Sequence, residues 1–162
     1  MPNWKEIVES HHAWAHPDDD WRLIAGPSAG AADLALLEEL FGSALTDEIR
    51  GFYEQMDGFG ITSDTGEVLW FMVPIAGLAN TFETCRSWFR DTHPELADLF
   101  VPFIDWGCGD YSGILLGESG VPLEGIYEFE HEEYEFDDGQ SGIDFLSSVY
   151  GSLREMLTPE NG

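Results

Sequence analysis

Positive charge is what this sequence has least of. Six Lys and Arg stand against 32 Asp and Glu, a formal net charge of −26, and no Lys or Arg lies between Arg90 and Arg154. Such a field repels polyanions and anionic lipid, which argues against nucleic acid or membrane as ligand. A basic protein partner is the natural complement, drawn in fast and sensitive to salt. Beside it stands a plainer reading, in which the charge only keeps the protein in solution. Cysteine is also scarce. Cys85 and Cys108 are too few for a disulfide framework, so a reduced, cytoplasmic protein is expected. No apolar run reaches transmembrane length, and the opening "MPNWKEIVESHH" lacks the basic-then-apolar order of a signal peptide. The sequence contains no H-E-x-x-H or Walker pattern.

Aromatic residues, by contrast, are plentiful: six Trp, eleven Phe and five Tyr in a chain that is 43% hydrophobic. Disordered acidic chains lack such material, and 162 residues make one domain of ordinary size. We expect residues 1–28 to form an N-terminal helix and acidic loop belonging to the same domain as residues 29–162. "NWKEIVESHHAW" has Trp4, Ile7, Val8 and His11 at helical spacing, and "HPDDDW" breaks the pattern at Pro17. A second helix is expected in "AADLALLEELFG", with Leu34, Leu37 and Phe41 on one face and Gly42 as its stop. "LTDEIRGFYEQMDGFG" predicts a third, capped by Thr46. After the "DTG" turn, "EVLWFMV" predicts a buried strand, and "GLANTFETCRSWFRDTH" returns to helical period. "LFVPFI", "YSGILLG" and "GIYEFE" are candidate strands, with "GESG" a turn. "EEYEF" is expected as a last edge strand, and "SGIDFLSSVYGSLREML" as a closing helix burying Leu146, Val149, Tyr150 and Leu153. Short turns between strands imply antiparallel pairing, so the class is α+β, with an antiparallel or mixed sheet flanked by helices packed on one face of a meander.

Three clusters invite a chemical reading. "WGCGDYSG" resembles a phosphate cradle only in its glycines: it leads into a strand, carries Asp110 and has no basic residue nearby. Nothing in sequence would activate the Cys108 thiol either. Gly107, Gly109, Asp110 and Tyr111 therefore read as a structural turn in which glycine supplies a positive φ. His12 and His16 are one helical turn apart, a spacing that suits a divalent metal, but Ala13, Trp14 and Ala15 intervene and Pro17 ends the helix. Surface or capping histidines are the reading, with no metal and no cofactor. The tract "YEFEHEEYEFDDG" alternates with aromatics as a strand does and lacks the spacing of a calcium loop. Tyr127, Phe129, Tyr134 and Phe136 would supply anchors for a partner unless they fill the core, and the glutamates a negative surround.

In order, "AADLALLEELFGSALTDEIRGFYEQMDGFG", "FIDWGCGDYSGILL", "GIYEFEHEEYEF" and "SGIDFLSSV" resemble the SUKH superfamily, whose best-known branch is that of the yeast cell-wall assembly regulators. Leu45-Thr46 and Asp57-Gly58 stand where the family has Leu-Pro and Asn-Gly. Gly109, Asp110 and Tyr111 match its Gly-Asp-aromatic turn; Ile126, Tyr127, His131 and Glu132 match its Val-Tyr … His-Glu strand. The likeness spans roughly Ala29 to Leu153, without the family's Pro after Leu45 or its Asn before Gly58. It implies an α+β fold, no enzymatic role, and for bacterial members an immunity protein that binds and neutralises a toxin, often a nuclease. The expectation is a non-catalytic module that blocks a basic toxin domain through Glu128, Glu130, Glu132, Glu133, Asp137 and Asp138, with Tyr134 as anchor and no catalytic residue. The alternatives are a regulatory scaffold and, behind it, a hydrolase using paired carboxylates.

Overall fold

Side chains that satisfy otherwise free amides set where the helices begin. The structure is a computed structural model and describes residues 2–18 and 20–158. Asn3 Oδ1 accepts from the Glu6 amide at the head of α1 (Trp4–Ala15). After strand β1 (Trp21–Ala25), α2 (Ala31–Phe41) stops at Gly42, whose φ of 55° suits a residue without a Cβ. Thr46 Oγ1 accepts from the Ile49 amide and opens α3 (Asp47–Gln55). Asp57 then caps at a distance: its Oδ1 accepts from the Ile75 amide, 2.7 Å away, at the first residue of α4 (Ile75–Thr92). Between them run β2 (Phe59–Ser63) and β3 (Val68–Met72). The short α5 (Pro94–Ala97) leads to β4 (Phe100–Asp105), β5 (Tyr111–Leu115), β6 (Ile126–Phe129), β7 (Leu146–Tyr150) and α6 (Leu153–Leu157).

The seven strands form one sheet in sequence order, each antiparallel to the next. The fold is α+β, with six α-helices among the described residues. Strand alternation sends the two faces to different partners. Tyr111 lies opposite Phe129, and both rings meet Trp88 of α4 at 6.0 and 5.6 Å. Phe89 joins Phe100, Phe129, Tyr134 and Phe145 in the same cluster. Ile114 and Ile126, which alternate with those residues, belong to a second cluster with Trp4, Val8, Leu153, Met156 and Leu157. Helices thus cover both faces, where the sequence reading places them on one. Tyr53 is buried in this core with its hydroxyl donating to the Val73 carbonyl at 2.6 Å; burial, then Asp57, drives its phenol pKa up.

Several sequence expectations change. The third helix ends at Gln55, because Met56 is already extended (φ −155°) and Gly58 turns at φ 86° into β2. Strands β1 and β2, five residues each, have no counterpart in the sequence reading. The closing helix expected over "SGIDFLSSVYGSLREML" is instead a 3-10 turn (Gly142–Asp144), strand β7 and the short α6. Leu146 pairs with Phe129 and Tyr150 with Ile126; Val149 and Tyr150 are exposed, and the α-helix begins only at Leu153. The i, i+3, i+4, i+7 spacing was real, yet the open edge of β6 needs partners for its amides and carbonyls, and that demand wins. "EEYEF" is not a strand either: the chain turns twice there, with Glu133 N–H donating to Glu130 O and Tyr134 N–H to His131 O.

Candidate functional site

The Gly-rich turn and the acidic tract, far apart in sequence, are latched to each other. Gly107 and Gly109 both have positive φ, 81° and 101°. Asp105 Oδ1 accepts from the Gly107 amide, and Trp106 N–H donates to the Asp110 carbonyl, closing the β4–β5 hairpin. Asp110 Oδ1 in turn accepts from the His131 backbone amide at 2.9 Å and meets the same residue's Nδ1 at 2.6 Å. The His131 ring packs against Gly109 so closely that a Cβ there would lie 3.0 Å from its Cγ. Gly109 and Asp110 thus form a turn tied to His131, and Tyr111 is half-buried against the aromatic cluster, its phenol pKa pushed up to about 12 by burial, then by Asp105 and Cys85.

Cys108 is exposed at the tip of this turn, whereas Cys85 is buried on the inner face of α4, its thiol pKa pushed up by burial and then by Asp105. One thiol per folded chain should react with Ellman's reagent, and the second only after unfolding in denaturant. Two fast-reacting thiols in the folded protein would contradict this burial.

Beyond the latch, the chain from Glu130 to Gln140 is a loop of specific construction. Glu130 N–H donates to the Phe145 carbonyl. Gln140 accepts from the Glu135 amide through Oε1 and donates to the Glu133 carbonyl through Nε2, holding the loop shut. His93 bridges from below, Nδ1 to Thr92 and Nε2 to the Gln140 carbonyl. Tyr134 is the peg: only 5% exposed, it bonds through its hydroxyl to Thr92 Oγ1 and the Trp88 carbonyl. This overturns Tyr134 as a partner-binding anchor, since its ring is committed to the core. Phe129 is fully buried as well.

What the loop shows to solvent is different. Phe136, 62% exposed, has φ 55°, a left-handed conformation that an aromatic residue rarely adopts. Its ring rests on Tyr134 at 4.3 Å. Around it Glu132, Glu133, Glu135, Asp137 and Asp138 are exposed. Glu128 and Glu130 are half-buried. Glu128 belongs to the sheet, opposite Ser112 and Ser147, and its carboxyl pKa is raised by burial first and then by Glu130 and Asp110. The site divides accordingly into a trio at the end of the sheet, with Glu128 in β6 and Asp110 and Glu130 just beyond β5 and β6, and a loop-borne group centred on Phe136. The exposed acids were legible from the tract's composition; Phe136 as the outward aromatic was not, because nothing in the alternation "EEYEF" distinguishes it from Tyr134.

Among the described residues no three His, Cys, Asp or Glu side chains are grouped to hold a metal ion. The rings of His12 and His16 lie 5.3 Å apart, centre to centre. No helix of the described residues is long and apolar enough to cross a membrane. No protein-family model matches the chain, and no curated protein matches it.

Proposed function

We propose that the chain is a non-catalytic protein-binding module that engages a basic partner through the acidic loop, and that it serves as a cytoplasmic immunity protein of SUKH type against a toxin domain, a nuclease. One observation carries the reading. An aromatic ring is held out to solvent, at a backbone conformation with a cost of about 1–3 kcal/mol, in the middle of five exposed carboxylates. Interfaces use such an aromatic anchor with a charged surround. A nuclease cleft is positive because its substrate is a polyanion, so carboxylates displayed on a fixed loop can occupy it. Asp110, Glu128 and Glu130 would extend the negative surface along the sheet. A hydrolase with paired acids would need two carboxylates converging in an apolar pocket; the aromatic cleft beside α1 and α6 presents one, Glu155.

The test is binding to the C-terminal domain of a secreted protein encoded beside this one, with four charges reversed together: Glu132→Lys, Glu133→Lys, Asp137→Lys and Asp138→Lys. We expect affinity to fall by about a hundredfold or more, and Phe136→Ala to cost a further factor of about ten. Because all five residues are exposed, thermal unfolding should change little. Unchanged affinity in the quadruple variant at physiological salt would sink the reading.

A further inference from the structure

The face of the sheet that carries Ile126 and Tyr150 holds a second feature, unrelated to the acidic loop. The last turns of α1, the end of β3, the start of the β4–β5 turn and α6 enclose an open cleft of about 1120 Å³, large enough for a small organic molecule. Its walls are aromatic: Trp14, His16, Phe71, Trp106 and Tyr150 all line it. His16 stacks on Phe71 with an interplanar angle of 8°, and Phe71 meets Trp106 at 5.8 Å. Trp14 is 62% exposed, its one ring contact among the described residues being His11 at 6.0 Å.

Two polar observations say what the cleft would hold. Arg154 lines it. In a chain with 32 acidic residues, the other four arginines each have a carboxylate within 4.0 Å. Arg154 alone has none among the described residues, and its neighbour Glu155 turns away to accept from the Gly151 amide. In addition, His11 lines the cleft, its Nδ1 buried without a side-chain partner among the described residues and its ring beside the Leu157 backbone. Burial, and after it the other histidines of α1, lowers the pKa of both His11 and His16. Both shifts favour the neutral imidazole, so the formal charges left on the wall are Arg154 and Glu155, which do not pair with each other. The cleft is an aromatic enclave in a strongly negative protein.

We infer that this cleft is a binding site for a planar aromatic carboxylate, its ring stacked among Trp14, Phe71 and Trp106 and its acid group paired with the Arg154 guanidinium. Offset stacking supplies the apolar part of the affinity. A guanidinium–carboxylate pair supplies direction, since the guanidinium fork matches the two oxygens. This site does not depend on the protein-binding reading given above. The remaining negative charge of the molecule opposes an anion at long range, so binding should tighten as salt is raised, the reverse of the acidic loop's behaviour toward a basic partner.

Three probes share one ring and differ in charge: indole-3-acetate, indole and tryptamine. Titrated into the full chain by calorimetry, with the indole N–H signals of Trp14 and Trp106 followed by NMR, indole-3-acetate should bind at least about tenfold more tightly than tryptamine. Arg154→Gln should remove that preference while leaving indole binding in place, and Trp14→Ala should weaken all three. Arg154 and Trp14 are exposed, so both variants should fold, which thermal unfolding verifies. Tryptamine binding as well as or better than indole-3-acetate would overturn the assignment. So would an unchanged preference in Arg154→Gln, or the absence of binding by all three probes.

Discussion

Replacing Phe89 by alanine should lower the unfolding free energy by about 3–5 kcal/mol, the range for removing a large buried aromatic side chain. Phe89 is fully buried and its ring meets those of Phe100, Phe129, Tyr134 and Phe145, at 5.5–6.3 Å. A domain of this size has about 5–15 kcal/mol in all, so this one ring underwrites a large share. Urea denaturation followed by tryptophan fluorescence measures the loss. A change below about 1 kcal/mol would mean the cluster is less tightly packed than described. The same variant should also loosen the acidic loop, because Phe89 is the floor beneath its peg, Tyr134. Partner affinity should therefore drop even though Phe89 never reaches the surface.

Gly113→Ala should be as damaging, by about 3 kcal/mol or more, at the upper end for overpacking. Gly113 lies in β5 opposite Pro102 of β4, where the register shifts between Pro102 and Ile104. A Cβ there would overlap the Val101 carbonyl and come within 2.6 Å of Pro102 Cα. Both are backbone atoms of the neighbouring strand, so no side-chain rotation relieves the clash and the strands must part. Gly51→Ala is the control. In the interior of α3 its Cβ would make an ordinary 3.9 Å contact with Trp4 Nε1, and alanine should gain about 0.5–1 kcal/mol over glycine. Equal loss from both substitutions would show that steric contact at β4–β5 is not the cause.

How much of this was legible beforehand depended on whether a signal was local. Thr46 as a cap, Gly42 as a stop, and Leu78, Phe82, Cys85 and Phe89 as one buried helix face follow from spacing alone, and all are present. The positive φ of Gly107 and Gly109 follows from glycine's freedom. What spacing could not convey was competition. Leu146, Val149, Tyr150 and Leu153 satisfy the helical period, but the strand edge beside them has unpaired backbone groups, and only the assembled sheet reveals that need. Tyr134 and Phe136 differ by two positions and share a composition, yet one is pinned by Thr92 and Trp88 and the other is turned outward by its backbone. The latch from Asp110 to His131 joins residues 21 apart, so neither motif on its own pointed to the other. The aromatic cleft was the least legible of all, assembled from four separate segments.

Glu48 holds the first two amides of α6, accepting from Leu153 at 2.8 Å and Arg154 at 3.1 Å, across more than a hundred residues. Trp4 and Val8 of α1 share their buried cluster with Leu153, Met156 and Leu157. During synthesis on the ribosome, then, the first helix to emerge waits for the last. Until α6 clears the exit tunnel, α1 has Phe52 and Gln55 to lean on but lacks half its cover, and Glu48 has nothing to cap. The sheet, whose strands pair with their immediate neighbours, can assemble as it is translated; the clasp between the two ends cannot. A nascent chain stalled short of Leu153 would be a nearly complete sheet with the α6-facing side of Trp4 and Val8 uncovered, a species prone to capture by chaperones or by its own copies.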